Sequence, residues 1–151
     1  MRRKNPKPIA RFRVYAWNSS LYFMVYVWAT KKEMLDNRPK LGLARGSCDA
    51  HTFSYDEYTD KTRKRKKPIV GEIHFHKRKV HADAGIEAVT HETLHAVTSL
   101  FRRLNMDFQT LSLEGTERPK EDNEEVIADV QGKMARAIML KFHKLNLFPW
   151  Q

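Results

Sequence analysis

An α+β fold, strands in the first half and two long helices in the second, is predicted by three observations. Residues 10–17 alternate apolar with charged or aromatic side chains at a period of two, the pattern of a half-buried strand. Residues 84–104 and 123–144 instead space apolar side chains three and four apart, the pattern of a helix with one buried face. Between those two stretches lies a polar loop, Glu114 to Asn123, carrying Gly115 and Pro119.

Taken in order, Ala10, Phe12, Val14 and Ala16 alternate with Arg11, Arg13, Tyr15 and Trp17 along the first strand. Asn18-Ser19-Ser20 forms a turn, and Leu21 to Thr30, rich in aromatic and β-branched residues, returns as the second strand of a hairpin. A short helix is expected over Lys31 to Asn37, ended by Pro39. Two more strands are expected around residues 43–58 and 69–77, joined through a charged tip at 60–68. Asp83 is the expected N-cap of a helix from Ala84 to Leu104, with Val89, Ala96, Val97, Leu100, Phe101 and Leu104 as its buried stripe. The last helix, Asn123 to Lys144, is expected to bury Val126, Val130, Met134, Ala137, Ile138 and Leu145.

A chain of 151 residues fits one domain, 1–151, large enough to bury a core without cross-links. No run of 18 apolar residues occurs, so no membrane-spanning segment is expected. The basic N-terminus is not followed by an apolar signal region, and the single cysteine, Cys48, cannot form an internal disulfide. Together these predict a cytoplasmic location. One cysteine also removes thiolate metal sites, leaving His and carboxylate as ligands. The formal charge is +10, from 28 Lys and Arg against 18 Asp and Glu, and it is concentrated at Arg2-Arg3-Lys4 and at Arg63-Lys64-Arg65-Lys66-Lys67. The second run reads either as a solvated tip or as a contact for nucleic acid.

His91-Glu92-Thr93-Leu94-His95 is an H-E-x-x-H motif on the first long helix, where no Gly or Pro interrupts residues 86–104. Side chains four apart share one helix face, so both imidazoles reach one zinc ion while Glu92 stands beside a water on it. A third ligand is needed. The H-x-x-G-x-x-H extension is absent, because Thr98 and Phe101 occupy the Gly and second His positions. A carboxylate within Asn123–Asp129, about thirty residues on, is the better source.

The two motifs, His91-Glu92-Thr93-Leu94-His95 and Glu124-Glu125-Val126-Ile127-Ala128-Asp129, resemble the gluzincin metallopeptidases. That group pairs H-E-x-x-H with a downstream N-E-x-x-[SA]-D or E-E-x-x-A helix. The resemblance covers roughly residues 69–140 and is greatest to the minimal ImmA/IrrE-like peptidases and short phage-encoded relatives. It implies a minimal zincin-like arrangement in which a mixed or antiparallel sheet precedes two helices carrying the zinc. It implies Glu125 as third ligand, Asp129 as the carboxylate orienting His91, and a protein or peptide substrate. Residues 71–76 would be the edge strand that pairs with that substrate. No match to the larger members' substrate-binding subdomain is found.

The expected mechanism has zinc polarising the scissile carbonyl and Glu92 moving the proton from water to the leaving amine. Tyr55, Tyr58, His51, His74, His76 and His81 are all chemically able to stabilise the oxyanion. Other readings stay open. Glu124 could be the ligand, or Asp122-x-x-Glu125 could be a capping box that folds Glu125 onto its own helix end. His74-Phe75-His76 places two imidazoles on one strand face. A different function class also fits: a basic nucleic-acid-binding or partner-binding protein with a structural zinc. Its surface would be the aromatic hairpin of Tyr15, Trp17, Tyr22, Tyr26 and Trp28, although those rings are expected to serve mostly as core.

Overall fold

The fold is that of a computed structural model, which describes residues 6–16, 20–37, 49–55, 68–104 and 121–147. Four strands, β1 (Ala10–Tyr15), β2 (Tyr22–Trp28), β3 (Ala50–Ser54) and β4 (Ile69–His76), form one mixed sheet in the order β1-β2-β4-β3. The described residues also form three helices, α1 (Lys31–Asn37), α2 (Ala82–Arg103) and α3 (Glu121–Lys144), and a 3-10 turn, Lys77–Val80, between β4 and α2. The protein is α+β. No helix among the described residues is long and apolar enough to cross a membrane. Cys48, Trp17, Tyr58 and the Arg63–Lys67 run lie outside the described residues.

β1 and β2 form the expected antiparallel hairpin, with Phe12 opposite Val25. β2 then pairs parallel with β4, and β3 pairs antiparallel with the far side of β4. This overturns one expectation: residues 71–76 are an interior strand, and β3 is the outer one. Parallel neighbours require a long crossover, so the chain passes through α1 and β3 before β4 returns beside β2. A glycine makes the close approach of β3 possible. A Cβ on Gly71 would stand 1.8 Å from the Phe53 carbonyl oxygen. α1 starts with a reciprocal cap: Thr30 Oγ1 accepts the Glu33 N–H and Glu33 Oε2 accepts the Thr30 N–H, each at 3.2 Å.

Register assigns the two faces of the sheet. Ala10, Phe12, Val14, Val25, Val27, Ile73 and Phe75 share the face that meets the helices. Phe142 on α3 packs edge-on against Phe12 (6.0 Å) and Phe75 (5.4 Å). α2 contacts β3 and β4, whereas α3 contacts β1 and α2. Of the expected α2 stripe, Val89, Ala96, Val97, Leu100 and Phe101 are buried, but Leu104 is exposed beyond the helix end. On α3, Val130, Met134 and Ile138 are buried as expected, Val126 is half-buried, and Ala137 and Leu145 are exposed. Phe142 and Leu147 fill the core instead. Helix α2 begins at Ala82 with His81 as its N-cap, so Asp83 falls inside the helix.

The opposite face carries Arg11, Arg13, Tyr15, Tyr22, Met24, Tyr26, Trp28, Glu72 and His74. Its centre is a hydrogen-bonded chain. Trp28 Nε1 donates to His74 Nδ1 (3.1 Å), and because an indole can only donate, the His74 proton lies on Nε2, which donates to Glu72 Oε2 (2.7 Å). Tyr55 donates its hydroxyl to the other Glu72 oxygen. Burial opposes ionisation of Glu72, but the hydrogen bonds from His74, Tyr55 and Tyr26 outweigh it and hold the carboxyl below its usual range. The same burial and the neighbouring carboxylate push the Tyr55 hydroxyl up.

Because the folded Glu72 carboxyl titrates below its unfolded value, its contribution is complete above about pH 4.3 and is lost as pH falls through the folded pKa. Glu72→Gln should therefore cost roughly 1–3 kcal/mol at neutral pH. Urea unfolding of both proteins should show that gap narrowing below about pH 4. An equal gap at pH 7 and pH 3 would show that Glu72 is not ionised in a stabilising network.

Candidate metal centre

The α2 sequence places its apolar stripe on the sheet and turns the adjoining stripe, His91, His95 and Thr98, toward a cleft beside β3. The cleft has a volume of about 350 Å³ and is bordered by Ala50, His51 and Thr52 from β3 and by Glu92, Ser99 and Arg102 from α2. His91 and His95 are exposed at its mouth, one helical turn apart, with their Nε2 atoms 3.1 Å from one another. The rings meet edge to face, at 4.7 Å and 77°. Two nitrogens on one tetrahedral zinc, each about 2.0–2.1 Å from the metal, stand roughly 3.3–3.4 Å apart. The two nitrogens stand at hydrogen-bonding distance from one another, close to that separation, and imidazole is a donor that suits zinc.

Glu92 lies between these ligands in sequence but on a different side of the helix, only 5% exposed against β3. Burying a carboxylate without a partner is costly, and Thr52 supplies one. The Thr52 hydroxyl lies 2.6 Å from Glu92 Oε2 and 3.1 Å from the Glu92 carbonyl oxygen, so its one proton can serve either acceptor. The Glu92 side chain is thereby held at the cleft wall with its second oxygen left for other donors. Thr52 was not legible as a site residue. It lies forty positions from Glu92 on a separate strand, and nothing local marks it. Thr93, Thr98 and Ser99 spend their hydroxyls on carbonyls one turn back. Arg102, exposed at the far end of the cleft, has no carboxylate partner among the described residues.

Helix α3 runs antiparallel to α2: Phe142, near its C-terminus, packs on Phe75, close to where the chain enters α2. Gln131 Nε2 donates to the Thr90 carbonyl at 3.2 Å, which sets the level of one helix against the other. Glu125 is about 9 Å back along α3 from Gln131, level with Ala96, the neighbour of His95. It is exposed. Among the described residues no three His, Cys, Asp or Glu side chains stand together as a metal-binding group, so Glu125 is near in level but not joined to the two imidazoles. Asp129 is about level with His91, yet its carboxylate pairs with Lys133 at 2.6 Å. Among the described residues His91 makes no hydrogen bond to Asp129. The capping-box alternative fails on geometry, because α3 begins at Glu121 and Asp122 is already helical.

The other candidates separate in the same way. Both ring nitrogens of His74 are engaged, by Trp28 and Glu72, so His74-Phe75-His76 does not present a pair of free ligands. His76 is buried with neither ring nitrogen hydrogen-bonded, and that burial lowers its pKa despite Asp49 Oδ1 at 3.6 Å. Of the residues able to stabilise an oxyanion, His51 borders the cleft, although its ring stacks on Phe53 at 4.6 Å. Tyr55 and His74 lie in the network on the opposite face.

Thr52→Val should leave the Glu92 carboxylate buried without its donor and cost roughly 1–3 kcal/mol in chemical denaturation, while Thr52→Ser stays close to wild type. Equal stability of the Val and Ser variants would show that the hydroxyl contributes nothing. The chain matches no known protein-family model, no curated protein and no solved structure, so the function of the cleft has to follow from its own geometry.

Proposed function

We propose that this protein is a zinc-dependent peptidase of the gluzincin type, acting in the cytoplasm on a protein or peptide substrate. The observation that carries the proposal is the convergence of the His91 and His95 Nε2 atoms, 3.1 Å apart, beside a buried glutamate in one open cleft. His91 and His95 would hold the ion, with Glu125 as the third ligand brought in by a side-chain rotation on α3. Bound zinc would supply an acidified water and an electrophile for the scissile carbonyl.

The chain's own residues supply the rest. Glu92, steadied through Oε2 by Thr52, takes a proton from the attacking water on its other oxygen and delivers it to the departing amine. An extended substrate fits along β3, the outer strand of the sheet, whose Ala50, His51 and Thr52 border the cleft. Asp129 would orient His91 on release from Lys133, since the two residues are about level on facing helices. The reducing cytoplasm is consistent with a chain whose one cysteine cannot form an internal disulfide.

Elemental analysis should find about one zinc per chain, lost on His91→Ala or His95→Ala. Glu125→Ala should lose it as well, and Glu124→Ala should not. Protein that purifies metal-free and gains no thermal stability from added zinc would overturn the site. With zinc loaded, Glu92→Gln should keep metal and fold but lose peptide hydrolysis, because an amide cannot accept the proton. Turnover that survives this change would remove Glu92 from the mechanism.

A further inference from the structure

The second face of the sheet is chemically unlike the first and lies away from the metal centre. Register puts Arg11, Tyr26, His74 and His51 in one row across the four strands, and Arg13, Met24, Glu72 and Phe53 in the next. Tyr15 and Tyr22 begin a third row. Tyr26 and Trp28 stack nearly parallel to His74, the Tyr26 ring at 4.8 Å and 21°. These rings therefore do not enter the helix-side core, as their alternation had led one to expect. Trp28 is buried, but Tyr22 and Tyr26 are only half-buried and Tyr15 is 55% exposed.

Two exposed guanidinium groups sit among these rings. The Arg13 guanidinium lies 4.6 Å from the Tyr22 ring centroid and that of Arg11 lies 5.5 Å from Tyr26. Neither makes an ion pair with a carboxylate among the described residues, although the face holds one, Glu72, engaged by His74 and Tyr55. The result, toward β1, is a set of exposed and half-buried aromatic rings interleaved with positive charge that pairs with tyrosines and with no carboxylate among the described residues, on a protein of net charge +10. An aromatic face offers a base a stacking surface, and an arginine offers its phosphate a planar pair of donors. A duplex keeps its bases stacked internally and cannot use the rings. Tyr22 and Tyr26, four residues apart on β2, are about 13 Å apart, a span for a few nucleotides.

We propose that the β1–β2 half of this face binds single-stranded nucleic acid, with Tyr15, Tyr22 and Tyr26 stacking bases and Arg11 and Arg13 holding the phosphates. This does not rest on the zinc reading, since α2, α3 and the Thr52–Glu92 pair lie on the other side of the sheet. It is also distinct from binding by the Arg63–Lys67 run, which would recognise phosphate charge without stacking.

The test is fluorescence anisotropy with a labelled oligo-thymidine, using the full chain at about 50 and 200 mM salt. Wild type should bind the single strand more tightly than a duplex of equal length. Tyr22→Ala with Tyr26→Ala should weaken binding by roughly 5- to 100-fold, and Tyr22→Phe with Tyr26→Phe should restore it because the rings remain. Arg11→Gln with Arg13→Gln should flatten the slope of log affinity against log salt by about 1.4, the value for two single-strand phosphate contacts. Far-ultraviolet circular dichroism of each variant should match wild type. No wild-type binding at low salt, equal binding to duplex, or binding lost only when residues 63–67 are neutralised would each overturn the proposal.

Discussion

The parallel pairing of β2 with β4 is the constraint on which the rest of the molecule depends. Two parallel neighbours cannot be joined by a tight turn, so the chain between them must leave the sheet and come back. It uses that excursion to lay down β3 on the far side of β4 before β4 itself is inserted. β3 thereby becomes the outer strand on the side that α2 covers, and Thr52 meets Glu92. Were β4 at the edge, the cleft would have no strand wall and the Glu92 carboxylate would have no hydroxyl to receive it. Gly71 belongs to the same constraint. The β3 backbone comes so near that only a residue without a Cβ fits opposite it.

The sheet then divides the protein into two chemical territories. On the helix side the paired positions are Val, Ile, Phe and Ala, and the core continues into Val97, Leu100, Met134 and Phe142. On the other side the paired positions carry aromatic rings, histidine, arginine and one glutamate. Such a face needs its polar groups satisfied internally where it is buried. The Trp28–His74–Glu72–Tyr55 chain does this and fixes the His74 tautomer. Toward β1 the face opens, and there the positive charge is held by ring faces instead of carboxylates.

The cleft residues rest on two different kinds of support. His91 and His95 need only a rigid helix turn, and α2 has one. Glu92 needs a partner from the sheet, because its position on α2 takes it into the interface. The level of Glu125 relative to His95 depends on the spacing of two helices, which the Gln131–Thr90 hydrogen bond and the packing of Val130 and Met134 set. Asp129, one turn on from Glu125, is paired with Lys133 on its own helix.

Much of this was legible in the residues alone, and the reason is local. Alternation predicted β1, aromatic and β-branched content predicted β2, helical spacing predicted α2 and α3, and the i, i+4 placement of His91 and His95 follows from helix geometry wherever the helix lies. What failed was what depends on partners distant in sequence. The resemblance implies an edge strand at residues 71–76, and pairing with both β2 and β3 makes it interior, because a strand's own sequence does not say which neighbours flank it. The hairpin aromatics were assigned to the core because alternation separates two faces without saying which one the helices cover. Leu104, Ala137 and Leu145 fit a helical stripe but lie where the helix ends or turns away from the sheet, whereas Phe142 and Leu147 lie where it meets it. Thr52 carries no local sign of its role, because its partner Glu92 lies forty positions away on another element. Period and spacing within one element are short-range properties of the chain, while strand order, the covered face and the hydroxyl that meets a buried carboxylate exist only once distant segments pack.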